Sequence, residues 1–124
     1  MKKLFTIFGF LFAVSAFAQN IDAVVNALKE GNATKFSSYF SSNLDVKLPL
    51  KNEIKNASKE DAASAVSNFF SEKKINGFEV ISQREMSGTM YIAGKLKSAG
   101  AGYNITIMLR TKGDEMSVIT VRIS

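Results

Sequence analysis

Residues 77–123, GFEVISQREMSGTMYIAGKLKSAGAGYNITIMLRTKGDEMSVITVRI, decide the fold. Within them Phe78–Arg84, Thr89–Ser98, Tyr103–Lys112 and Met116–Ile123 alternate apolar and polar residues. That period of two predicts four half-buried antiparallel strands. Ser87-Gly88, Ala99-Gly100-Ala101-Gly102 and Gly113-Asp114 separate the runs, and each holds the glycine that tight turns favour. Successive side chains of a strand point to opposite faces. Met90, Ile92 and Leu96 therefore share one face with Tyr103, Ile105, Ile107 and Leu109, and with Ile119, Val121 and Ile123. Tyr91, Lys95, Lys97, Asn104, Thr106, Met108, Arg110, Val118, Thr120 and Arg122 take the other. A sheet with one dry face requires a cover, and the residues upstream have to supply it.

Working outward, Ser58 opens a long helix that runs to Glu72. Ser58-Lys59-Glu60-Asp61 has the form of a capping box, and Ala62, Ala65, Val66, Phe69 and Phe70 trace one apolar stripe. Before it, Leu44, Val46, Leu48 and Leu50 alternate with Asp45, Lys47 and Pro49, which reads as a strand with Pro49 at an edge or end. A short returning strand falls around Glu53–Lys55. Asn20–Glu30 reads as an amphipathic helix, capped by Asn20 and stopped by Gly31, with Ile21, Val24, Val25 and Leu28 on one face. Asn32–Phe40 reads as a second, with Phe36, Tyr39 and Phe40 on one stripe. No internal repeat or linker interrupts this order.

Residues 1–18 have the layout of a secretory signal peptide. Lys2 and Lys3 form the basic start, Leu4–Val14 the apolar middle, and Ala16-Phe17-Ala18 the small-residue cleavage site before Gln19. The apolar run is too short for the ~30 Å hydrocarbon layer of a bilayer, so no stable membrane anchor is expected after cleavage. One domain over residues 19–124 then remains, exported to the periplasm or outside the cell. The chain has no cysteine, so neither a lipidated cysteine nor a disulfide is available, and packing alone holds the domain together. Removing Lys2 and Lys3 lowers the net charge from +5 to +3. So mild a balance does not point to nucleic acid.

The absence of histidine as well as cysteine excludes serine-histidine, cysteine-histidine and histidine-metal chemistry. Glu60-Asp61 and Asp114-Glu115 are adjacent acidic pairs at a helix start and a turn, without calcium-loop spacing. Ser98–Gly102 lacks the lysine and helix of a phosphate loop and connects two strands. No metal or cofactor is called for.

Helix, helix, strand, return strand, helix and four strands is an α+β order. It resembles the cone-shaped nuclear transport factor 2-like (cystatin-like) superfamily, in which three helices cover one face of a curved antiparallel sheet. More narrowly, the chain resembles a family of small secreted Bacteroidetes proteins of unknown function. The resemblance rests on Ala16-Phe17-Ala18-Gln19, Leu28-Lys29-Glu30-Gly31-Asn32, Phe36–Phe40, Asp45–Leu50, Phe69-Phe70 and Tyr103–Leu109. Enzymes of that superfamily, such as ketosteroid isomerase, set a carboxylate base and a tyrosine in the apolar cone. The residue types available for that role are Glu79, Glu85 and Asp45 with Tyr39, Tyr91 and Tyr103. Alternation turns Glu79 and Asp45 away from the core.

Two surfaces remain as candidate sites. An incompletely filled cone would place Phe36, Tyr39, Phe40, Phe70, Tyr103 and Ile107 around a small apolar ligand. The outer sheet face would present Tyr91, Lys95, Lys97, Met108, Arg110 and Arg122 to an anionic envelope partner or to a second copy in a homodimer. A non-enzymatic binding module of the periplasm or envelope is the preferred reading. The alternatives are a small isomerase- or hydrolase-like enzyme and a purely structural homodimer. Mass analysis of the amino terminus of protein from the native host should place the mature junction between Ala18 and Gln19. Recovery of an intact Met1–Ala18 segment would overturn the export reading.

Overall fold

The computed structural model describes residues 21–112 and 115–124. The signal segment, the Asn20 cap, the Gly113-Asp114 turn and the Asp114–Glu115 pair as a unit therefore lie outside the described residues. Helix α1 spans residues 21–29 and α2 spans Ala33–Ser37. Strands β1 (Phe40–Lys47) and β2 (Ile54–Ser58) follow, then α3 (Lys59–Glu72). The chain ends in β3 (Gly77–Met86), β4 (Thr89–Ser98), β5 (Ala101–Lys112) and β6 (Glu115–Ile123). The six strands form one curved sheet in the order β2-β1-β6-β5-β4-β3. The last four strands make the expected meander. The sheet is mixed, however, because β1 lies parallel to β6, with Val46 beside Val121. Only the long route through β2, α3 and the meander brings β1 and β6 together, and it delivers them pointing the same way.

The helices start and stop where local chemistry demands. Ser58 Oγ accepts the Asp61 N–H at 3.2 Å, so the predicted cap of α3 forms. Asn32 caps α2 by accepting the Lys35 N–H at 3.0 Å. Gly31, at φ 68°, ends α1: its N–H bonds Leu28 O at 3.0 Å, and the Asn32 N–H bonds Ala27 O at 2.9 Å. That paired closure requires a left-handed residue. A side chain there would also run into the Ile75 carbonyl, so Gly31 fixes how closely the first helix approaches the end of the third.

Several sequence expectations change. The second helix ends at Ser37, and the chain turns through Ser38 and Tyr39 so that Phe40 opens β1. Leu48, Pro49 and Leu50 are not strand residues. Lys51 N–H bonds Leu48 O at 3.3 Å and Leu50 has φ 62°, which makes residues 48–51 a tight turn with Pro49 at its second position. In β6, Met108 faces Thr120 while Leu109 faces Val118, so Ile119 is an extra residue in the ladder. That bulge resets the alternation: Val118, assigned by strict parity to the outer face, is fully buried, and Ile119 is half-exposed.

The core fills the space between the helices and the inner face of the sheet. Val24, Leu28, Phe36, Val66, Ile92, Leu96, Ile105, Ile107 and Leu109 are completely buried within it. Curvature comes from a bulge between Val80 and Ser82 and from Gly94 on the facing strand. The Phe78 ring lies over Gly94, where a Cβ would sit 2.6 Å from the ring and closer still to the Glu79 carbonyl. Glycine is thus the residue that lets an aromatic ring fold across the sheet. Gly94→Ala should destabilise the protein by about 1–3 kcal/mol, because both obstacles are well packed. Denaturant midpoints check this, and an unchanged midpoint would show that the Phe78 ring moves freely aside.

Candidate functional site

Rings connect the helices to the sheet in an unbroken series. Phe40 meets Phe36 edge-on at 5.1 Å, Phe36 stacks on Phe70 at 6.3 Å, and Phe70 meets Phe69 at 6.4 Å. Phe69 then meets Tyr103 edge-on at 5.1 Å. Aromatic pairs favour these edge and offset arrangements. At its inner end the series is closed core, with Phe36 and Ile107 fully buried and Phe40 nearly so. At its outer end Tyr103 is half-buried and reaches open space.

That space is a cleft of about 380 Å³ between the 48–51 turn, the last two turns of α3 and Tyr103. Leu48, Ala65, Phe69 and Tyr103 give it apolar walls. Its polar rim comes from Asn68 and Glu72 on α3, from Lys73 at its C-cap and from Lys51 across the opening. Leu50 stands at the lip and is fully solvent-exposed. Its left-handed conformation, which costs a non-glycine residue roughly 1–2 kcal/mol, is the one the third position of this turn requires.

Of the six residues predicted around a cone ligand, Tyr103 alone lines this cleft. Phe36, Phe40 and Ile107 are packed core. Tyr39 is half-buried, and its carbonyl accepts the Val118 N–H at 2.8 Å. Phe70 lies on the far side of α3, at a shallow groove of about 450 Å³ whose other walls include Glu30, Asn32, Thr34, Ser67 and Ser71. Sequence reading missed Asn68, Glu72, Lys73 and the 48–51 turn. The signal for the turn was present, since proline favours its second position. The polar side of α3 gave no sign that it borders a cavity.

The carboxylates considered for catalysis sit elsewhere. Glu79 and Glu85 are exposed on β3. Asp45 Oδ1 accepts the Asn56 N–H at 2.8 Å, where Asn56 takes φ 55° and β2 bulges against β1. Asp45 thus stabilises that distortion. Glu72 does share the cleft with Tyr103, but at the exposed rim, without the apolar enclosure that carboxylate-and-phenol catalysis uses.

The register also divides the outer-face residues. Tyr91 and Met108 are directly opposite each other, and Thr120 and Asp45 continue their row. Lys95 faces Asn104 and Lys97 faces Gly102 at one end, whereas Arg110 faces Thr89 at the other. Asn104 and Arg110 lie six residues apart along β5, about 20 Å at the usual rise of a strand. Arg122 is on β6 beyond Thr106, and its Nη2 contacts Glu53 Oε1 at 3.2 Å. The four cations therefore do not assemble into one patch: strand spacing spreads them, and a carboxylate matches one.

Residues 21–124 match the family model described as a domain of unknown function, DUF4783. No curated protein matches the chain in sequence. Among solved structures, a DUF4783 protein of Bacteroides uniformis aligns with a TM-score of 0.76 at 24% identity, over 83% of this chain and 94% of that one. Another, from Bacteroides ovatus, aligns with a TM-score of 0.73 at 20% identity, over 82% and 90%. A nuclear transport factor 2-like protein of unknown function from Cytophaga hutchinsonii gives 0.58 at 10% identity, over 84% of each chain. The chain belongs to the DUF4783 family, a domain of unknown function, and has the α+β fold of its nuclear transport factor 2-like neighbours.

Proposed function

We propose that the protein is an exported, non-enzymatic binding module of the periplasm or cell envelope, and that it holds a small apolar molecule in the cleft beside Tyr103. The observation carrying this reading is Leu50. Its side chain is fully exposed, on a left-handed residue, at the lip of an opening walled by Phe69, Ala65 and Tyr103. An apolar side chain held in water contributes nothing to the folded core, but it adds contact area to a molecule seated beneath it. Export is supported by the basic, apolar and small-residue succession of residues 1–18.

The cleft fits this use in kind. Small-molecule sites are mostly apolar concavities of a few hundred Å³ with a few polar groups that set orientation. Here Asn68, Glu72, Lys73 and Lys51 supply those groups at the rim, so the apolar end of a ligand enters first and its polar end stays at the water boundary.

Two probes test the reading by heteronuclear NMR titration: decanoate, which is anionic, and toluene, which is neutral. At least one should shift the amide signals of Leu50, Asn68 and Tyr103 in a saturable way. Leu50→Ser should weaken that binding by about tenfold, the loss expected from one buried aliphatic side chain, with the denaturant midpoint unchanged. Ala65→Trp should abolish it by filling the cleft. Equal affinity of both variants and wild type, or no shift at the cleft with either probe, would overturn the proposal.

A further inference from the structure

Both edges of the sheet carry a bulge, but they differ in length and exposure. Edge strand β2 is five residues long and distorted by the Asn56 bulge that Asp45 holds in place. Edge strand β3 is ten residues long, and every residue from Ile81 to Met86 is exposed. Ile81 and Met86 expose 63% and 50% of their surface. A long edge with unpaired backbone groups and apolar side chains is a template for another strand.

The residues of β3 also specify which strand. In a regular strand Glu79 and Arg84, an odd number of positions apart, would project to opposite faces. The bulge at Ile81 changes this. Glu79 faces Lys95 and Arg84 faces Tyr91, both on the outer side of β4, so the acid and the base share one face. Val80 and Gln83 face Gly94 and Ile92 and share the inner one. Turn β3 upon itself about an axis between Ile81 and Ser82, and its pattern is self-complementary. Glu79 falls opposite Arg84 of the second copy, Val80 opposite Gln83, and Ile81 opposite Ser82. Both ion pairs recur by symmetry, and the two Ile81 side chains meet between them. Within one chain Glu79 faces Lys95 across the β3–β4 ladder without a direct ion pair, since among the described residues Arg122 and Glu53 form the one ion pair, and Arg84 Nη2 rests 3.2 Å from the weak acceptor Met86 Sδ.

We infer that β3 is a homodimerisation edge, on which a second copy of this chain pairs antiparallel over residues 79–84 with Glu79 against Arg84. The contact is isologous, so it closes after two copies and does not propagate. No residue lining the cleft lies on β3, so this inference stands apart from the binding proposal.

Sedimentation analysis of the purified protein over a concentration series tests it. The wild type should show a reversible monomer–dimer equilibrium that weakens as salt rises. Glu79→Arg and Arg84→Glu should each weaken association about tenfold or more, since each places like charges opposite at two symmetric positions. The double variant Glu79→Arg/Arg84→Glu should associate more tightly than either single reversal, stopping short of the wild-type constant because position 79 then faces Lys95 with like charge. Thermal unfolding midpoints confirm that each variant is folded, and Glu79→Gln and Arg84→Gln carry the same comparison with gentler changes. A chain that is monomeric throughout, a dimer indifferent to the single reversals, or a double variant no tighter than the single reversals would overturn the inference.

Discussion

Phe36 is the contact on which the arrangement of layers depends. Its ring takes Phe40 of β1 edge-on and Phe70 of α3 face-on, and its own backbone belongs to α2. Three elements that are separate in sequence thus share one fully buried side chain. A buried phenylalanine is typically worth about 3–5 kcal/mol, against a net stability of about 5–15 kcal/mol for a whole domain. With no disulfide to share the task, the position of α3 over the sheet rests on packing of this kind. That position in turn sets where Phe69 meets Tyr103, and so where the core gives way to an open cleft.

The sheet was legible because its signal is short-range. Thr89–Ser98 keeps its predicted ends, and the inner rows of β4 and β5 are the predicted ones, since nothing disturbs a period of two along those strands. Reading failed where one residue was added or where two elements competed. Ile119 shifts the phase of β6, and no residue type announces a bulge beforehand. Phe40 fits a helical stripe with Phe36 as well as it fits a strand, and pairing with Val118 of β6 decides the matter. That pairing is a tertiary effect, invisible to a local window. The parallel contact between β1 and β6 was out of reach for the same reason.

The site was less legible than the fold, and the cause is geometric. Apolar pattern identifies residues that leave water, yet it does not say whether the space they enter is full. Phe36, Phe40 and Ile107 belong to a packed interior, while Tyr103, with the same inward parity, stands at the boundary. Asn68 and Glu72 lie on the polar side of α3, where solvent exposure is the ordinary expectation. Only the turn at Leu48–Lys51, folded back toward the end of α3, converts that side into one wall of a cavity.

The parallel seam between β1 and β6 governs the order in which the molecule can assemble. Phe40 must meet Val118, and Val46 must meet Val121, across nearly the whole length of the domain. The meander needs only neighbouring hairpins, whose loops cost little entropy to close. Contacts of such long range are what slow a chain's folding. A polypeptide emerging amino terminus first therefore carries β1 unpaired on its β6 side until β6 has emerged. Strand β6, with Val118, Val121 and Ile123 fully buried, acts as the keystone that joins the β1–β2 pair to the meander in one sheet.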